Sequence, residues 1–318
     1  MEAKRKKVIK KSYESQKVSD FGTIDRSMSK ADQYWRRNGI EKFVSLNDKI
    51  KFQTFDVNAL LIKKYNLRGI EFGNWVTIED RWNYLNQLRL SLENLNKVLK
   101  FNNNVGLRGF LTIALGARGK GKALAHYEPW SDVINITRYK KGTPDNLKNI
   151  LFSKTGGFGS YAHEYGHFLD YFFGKYVHQD KSSAALSGGV TTSAILDLDH
   201  KPGTLRFLMS KVLQAIIWKP GKYSGEENKQ YNTADFTDYY RKLRIVFAGD
   251  DYWLRRNEIF ARAFEQYVKY KLGQKKINDF FLSKVKYMDD PYMSNTELLR
   301  IIKPMDALIN KMAQLAKS

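Results

Sequence analysis

The sequence predicts an α+β fold, mostly helical, with a small sheet beside one central helix. Stretches with apolar residues at helical spacing outnumber β-type runs, the β-type runs are short and confined to residues 111–115 and 133–137, and no internal repeat is present. With 42% hydrophobic and 14% aromatic residues, a chain of 318 residues can bury a proper core and is not generally disordered. Residues 1–19 are expected to form a basic tail, and residues 20–318 a single domain with a C-terminal helical extension.

Taken in order, the first 18 positions carry seven Lys or Arg, from Lys4 to Lys17, and read as a solvated tail. Charge stands where a signal peptide needs an apolar core, and nothing later approaches about 18 consecutive apolar residues, so neither signal-directed secretion nor a membrane is expected. Residues 20–67 are weakly periodic, with a short helix expected around 27–37. Trp82, Leu85, Leu88, Leu92, Leu95 and Leu99 predict a long amphipathic helix over 79–99, with Thr77 as its cap. A strand over 111–115, a glycine-rich loop over 116–122 and a strand over 133–137 follow. A helix is expected to start near Gly159 or Ser160 and to end at Gly174 as a C-cap. Residues 180–192 read as a plain surface loop, with a lid as the alternative. Helical periodicity returns over 205–218, 236–246, 252–272 and 296–315, the last around Pro304.

The chain has no cysteine, which excludes disulfide frameworks, thiolate metal sites and cysteine nucleophiles, so any metal must be held by His, Asp or Glu. Residues 163–167 read His163-Glu164-Tyr165-Gly166-His167 inside a predicted helix. Four residues is close to one helical turn, so both imidazoles can converge on one ion, while Glu164 beside them can take a proton from a metal-activated water. Neutral imidazoles hold Zn²⁺ without cancelling its charge, which keeps such a water acidic near neutral pH.

A catalytic zinc site needs a third protein ligand. A His three residues beyond a Gly at 170 is excluded, because the chain has Asp170 and Phe173. A Glu from a second helix is the remaining option. Glu258 and Glu265 lie two turns apart on one stripe, with Ala261 between them small enough for close approach. Glu258 is the expected ligand, and Glu265 a supporting or competing carboxylate. The plainer alternative is that both carboxylates are solvated and Glu258 merely pairs with Arg262, four residues on.

Four blocks together resemble a known family. They are residues 68–76 (Arg68-Gly69-Ile70-Glu71-Phe72-Gly73-Asn74-Trp75-Val76), residues 116–138 from Gly116-Ala117-Arg118-Gly119-Lys120 through His126-Tyr127-Glu128-Pro129 to Arg138, the His163 to His167 helix, and Glu258-Ile259-Phe260-Ala261-Arg262-Ala263-Phe264-Glu265. In this order they look like the zincin-type large polyvalent protein-associated domain found in polyproteins of phages and conjugative elements. The resemblance covers the central half of the chain. It implies a zincin-like metallopeptidase fold, Zn²⁺ as cofactor, a protein or peptide substrate, and a place in the host cytoplasm or packaged in a phage particle. Glu258 matches the first Glu of the family's second helix.

Residues 116–122 also match Gly-x-x-x-x-Gly-Lys of a phosphate-binding loop, but Ala123 stands where a Mg²⁺-binding hydroxyl belongs and Pro129 follows in place of a helix. Nucleotide binding is therefore not expected. The strand over 133–137 is expected instead as an edge to which an extended peptide could add. Asp170 is a candidate to orient a ligand imidazole. His126, Tyr127 and Tyr252 are candidates to stabilise an oxyanion. The resulting expectation is a zinc-dependent peptidase with Glu164 as general base. Its rival is a non-catalytic basic protein associated with phage or element DNA, and the net charge of +21 allows non-specific nucleic-acid association in either case.

Overall fold

The structure, a computed structural model, describes residues 57–73, 78–118, 125–136, 159–178, 184–225, 231–284 and 291–317; the side chains of 57, 58 and 78–83 are excepted. The basic tail, the helix expected at 27–37 and the Thr77 cap lie outside the described residues. The chain divides into two compact units, one running to Glu164 and including Ile277–Lys284, the other made of Tyr165–Lys276 and residues 285–316.

The first unit contains α1 (Val57–Tyr65), β1 (Gly69–Phe72), α2 (Ile78–Leu99), β2 (Thr112–Leu115), β3 (Ala125–Glu128) and β4 (Val133–Ile136). The strands form one sheet in the order β1-β2-β4-β3, with β1, β2 and β4 parallel and β3 antiparallel to β4. Ile70, Ile113 and Ile134 are aligned across the parallel strands and are all buried. Glu71, Ala114, Asn135 and His126 form the neighbouring row. The small Ala114 lies between the rows' polar ends, and Arg118 joins both of its Glu71 oxygens at 2.9 Å. Leu85, Leu88, Leu92, Leu95 and Leu99 of α2 are fully buried, the stripe that the helical period predicts.

Two expectations about the sheet are corrected. Residues 119–124, which include most of the expected glycine-rich loop, lie outside the described residues; β3, which follows, was not anticipated, and β4 is an interior strand bonded on both sides. The strand over 133–136 therefore offers no edge; among the described strands the edges are β1 and β3. Helix α1 and strand β1 were also not anticipated.

Residues 277–284 return to this unit as a brace. Asp279 accepts hydrogen bonds from Ser91 Oγ and Asn94 Nδ2, both at 2.9 Å, and from the Phe281 and Leu282 amides at 3.2 Å. Phe281 stacks on Tyr161 with ring centroids 5.4 Å apart. The same segment receives the opening of α3 (Tyr161–Phe172): the Tyr161 amide donates to Phe281 O at 3.4 Å and the Ala162 amide to Leu282 O at 3.0 Å. First-turn amides have no partner within their own helix, so these carbonyls fix where α3 begins.

The division between units falls inside α3. The second unit takes up its later turns, a π-helical continuation over Phe173–His178, α4 (Leu205–Ile217), α5 (Asp238–Val246), α6 (Arg256–Gly273) and α7 (Asn295–Lys317). Gly174 is thus not a C-cap. It sits inside the continuing helical turn, where a Cβ would meet Ala184 O at 2.5 Å, so the missing side chain serves close approach. Helix α6 is buried at every position from Asn257 to Val268 although it carries Glu258, Arg262, Glu265 and Gln266, and each such polar group must find partners inside. Gln266 does so in both directions, donating to Met293 O at 2.9 Å and accepting from the Met293 amide at 3.1 Å. Among the described residues no helix is long and apolar enough to cross a membrane.

Candidate metal centre

Helix α3 carries His163 half-buried, and Glu164 and His167 buried. Tyr165 and Phe168 anchor the opposite face: Tyr165 stacks on Phe264 of α6 with centroids 6.3 Å apart. Gly166 lies against α6, where a Cβ would be 3.2 Å from Ala261 Cα and 3.2 Å from Phe264 Cδ1. Both small residues are needed for the two helices to come this close, as the Ala261 spacing led us to expect.

At that approach, His163, His167 and Glu258 each present one ligand atom, and the three atoms lie within 4.8 Å of one another. His167 Nε2 and Glu258 Oε1 are 3.3 Å apart. Two donors at about 2.0–2.1 Å from one tetrahedral ion are separated by roughly 3.3–3.4 Å, so this spacing suits a shared metal. Two imidazoles and one carboxylate also match the donor set that zinc takes in sites that keep a position open. The donor set fits a metal ion, and the His167–Glu258 separation is that of two donors on one ion.

Glu258 also pairs with Arg262, its Oε2 3.7 Å from Arg262 Nη1, but neither Glu258 nor Glu265 is solvated as the plainer alternative expects: both are buried. Metal ligation and this pairing are compatible, since each uses a different carboxylate oxygen. Arg262 is 2% exposed and is held from several directions. Its Nη2 donates to Trp253 O at 2.6 Å, its Nε to Tyr239 Oη at 3.3 Å, and its guanidinium lies 5.4 Å from the Trp253 ring centre. Burial works against the Arg262 charge, while Tyr239 and Glu258 favour it, with a net upward displacement of its pKa.

Glu265 is fully buried and accepts from Tyr292 Oη at 3.1 Å. It is not part of the three-residue cluster, so of the two carboxylates it is Glu258 that meets the histidines. Asp170 is fully buried, and its oxygens take the Ser187 amide at 2.8 Å and the Ser187 hydroxyl at 2.6 Å. Burial pushes its carboxyl up, against the pull of these bonds and of the nearby His167. Asp170 thereby pins the turn at 185–189, whose Ala185 and Leu186 carbonyls are bound by Arg206 Nη1 at 3.1 and 3.3 Å. Of the segment expected as a surface loop or lid, residues 180–183 lie outside the described residues, 185–187 are buried and tied down, and Val190 and Thr191 are exposed.

Of the oxyanion candidates, Tyr127 donates its hydroxyl to Asp132 at 2.7 Å and His126 Nε2 lies 3.5 Å from Glu128 Oε1, both within the first unit. Tyr252 is 38% exposed on the turn Asp251–Leu254, with the Arg255 guanidinium 5.7 Å from its ring centre. Sequence reasoning did not single out Ser187, Tyr239 or Trp253, and saw Arg262 only as a surface partner for Glu258. The usable signal was the apolar run Ile259, Phe260, Ala261, Ala263 and Phe264 around Arg262, which leaves that side chain no solvated face.

Residues 248–316 match the family model of large polyvalent protein-associated domain 1. The match takes in the turn at 251–254, α6 and α7, and so includes Glu258, Arg262 and Glu265, while His163 and His167 lie outside it. Comparison with curated proteins and with solved structures finds no match. The polyvalent-domain part of the resemblance therefore rests on the C-terminal helices.

Proposed function

We propose that this protein is a zinc-dependent peptidase whose metal ligands are His163, His167 and Glu258. The observation that carries the reading is the meeting of these three ligand atoms within 4.8 Å, with Glu164 next to His163 in the same helix. A zinc ion held by His163, His167 and Glu258 would supply Lewis-acid polarisation of a carbonyl and would acidify a water. The Glu164 carboxylate would take the proton from such a water as the water oxygen bonds to the carbonyl carbon, and would pass it to the amide nitrogen as the C–N bond breaks. His163 and His167 act as neutral ligands, and Glu258 adds one negative charge. The reading of the substrate as protein or peptide, and of the source as a phage or mobile element, rests on the four-block resemblance; the polyvalent-domain match supports only the domain over residues 248–316.

The net charge of +21 favours a second reading, a basic protein bound to nucleic acid in which the metal only joins helices. One experiment separates the two: elemental mass spectrometry on wild type, Glu258→Ala and Glu164→Gln, with hydrolysis of an unfolded casein substrate followed with and without a chelator. The peptidase reading expects zinc near one per chain in wild type and Glu164→Gln, its loss in Glu258→Ala, and chelator-sensitive cleavage in wild type alone. Zinc without cleavage in wild type, together with DNA retention that falls steeply with salt, supports the second reading and ends the first.

A further inference from the structure

Resting on the metal reading above, we infer that Arg262 is a positioning residue that reserves one oxygen of Glu258 and so makes that carboxylate a single-oxygen ligand. A carboxylate facing a metal with both oxygens accessible can bind through one or both, and the choice decides how many positions remain for water and substrate. Here the two oxygens of Glu258 are in different surroundings. Oε1 is 3.3 Å from His167 Nε2, whereas Oε2 faces Arg262 Nη1 at 3.7 Å.

A Glu–Arg pair four residues apart on an exposed helix is worth a few tenths of a kcal/mol and sets no geometry. This pair is different because both side chains are buried, at 9% and 3% exposure. The guanidinium cannot swing away, since Trp253 O and Tyr239 Oη each hold one of its nitrogens and the Trp253 ring covers it. Arg262 therefore presents Nη1 to Glu258 from a fixed place, and the carboxylate turns one oxygen to it and the other to His167. Trp253 and Tyr239 act one step further out, by fixing the arginine.

The test is a mutant cycle read by metal binding and by spectroscopy. Zinc affinity is measured by chelator competition in wild type, Arg262→Met, Glu258→Ala and the double variant, and the visible spectrum of the Co²⁺-loaded protein is recorded for each. Groups that hold a metal ligand in place typically contribute roughly 10- to 100-fold in affinity. Arg262→Met is expected to weaken zinc binding by about that factor and to change the Co²⁺ band intensity toward higher coordination. In the Glu258→Ala background, with zinc supplied in excess so that the residual binding by the two histidines is read, the same change is expected to have no further effect, because there is no carboxylate left to position. Arg262→Lys retains the buried charge and keeps the experiment readable if the methionine variant does not fold; it is expected to recover part of the affinity and the wild-type spectrum.

Unchanged affinity and spectrum in both Arg262 variants, with wild type binding zinc, overturns the inference and leaves the metal reading standing. An equal loss in the presence and absence of Glu258 overturns it too, since Arg262 would then act on the fold alone. Absence of zinc from wild-type protein removes the metal reading and this inference with it.

Discussion

Asp170 illustrates how one residue's chemistry is decided by its neighbours. A carboxylate three positions beyond a candidate ligand suggests an imidazole partner, yet the Asp170 oxygens receive the amide and hydroxyl of Ser187. The Asp170→Ala variant strands two buried donors and is expected to lose about 1–3 kcal/mol of stability, seen as a lower denaturation midpoint in urea. On the proposed zinc site, loss of zinc at unchanged stability would instead give Asp170 the role of orienting a histidine. At this scale the sequence was most legible where spacing alone carries the chemistry. His163 and His167 are placed by helical period, and Glu258 by its helical stripe. Partners distant along the chain, Ser187 for Asp170 and Trp253 O for Arg262, leave no local pattern, because any hydroxyl or carbonyl can fill such a place.

Among the elements, the long helices were readable because a dozen or more residues repeat the same pattern; α2, α4, α6 and α7 begin and end within a few residues of expectation. The sheet was not. Each of its strands has four residues, so only two side chains mark each face, and β3 carries His126, Tyr127 and Glu128 where a buried strand is normally apolar. Gly174 misled for a related reason: a glycine near the end of a helical pattern suggests a left-handed cap, but here it clears space for Ala184 O, which a Cβ would approach to 2.5 Å. The contact is with backbone, which cannot be relieved by turning a side chain. Gly174→Ala is therefore expected to destabilise the protein by about 1–3 kcal/mol. At a cap the same substitution would act through a positive φ, and Gly174→Asn would be tolerated; measuring both variants by thermal unfolding distinguishes the two, with both expected to fall.

For the molecule as a whole, alkaline pH probes the packing. Tyr65, Tyr161, Tyr239, Tyr267 and Tyr292 are buried, and burial raises the phenol of each, that of Tyr65 from 10.0 to about 12. A phenol that ionises at 10.0 when unfolded but higher when folded binds more protons in the native state between those values. Its contribution to stability is intact below pH 10 and is lost as pH rises through the folded value. Phenolate absorbance is expected in two stages, exposed tyrosines first, then a cooperative rise coincident with loss of far-ultraviolet dichroism. Tyr65→Phe should lessen the fall in stability between pH 10 and 12. A single smooth titration with structure retained would show that these phenols reach water in the native state.

The way Arg262 is enclosed has a consequence for how such a chain can drift over generations. Removing one partner of a buried ion pair leaves the other charge uncompensated, at a cost of about 3–5 kcal/mol, which is a large share of a domain's stability. If the proposed metal site is lost, a lineage cannot simply replace Glu258 and keep its neighbour; the arginine has to go as well, or gain a new acid. Descendants with the site erased are therefore expected to change positions 258 and 262 together, and an apolar residue at 258 beside a retained arginine would mark a chain on the verge of unfolding.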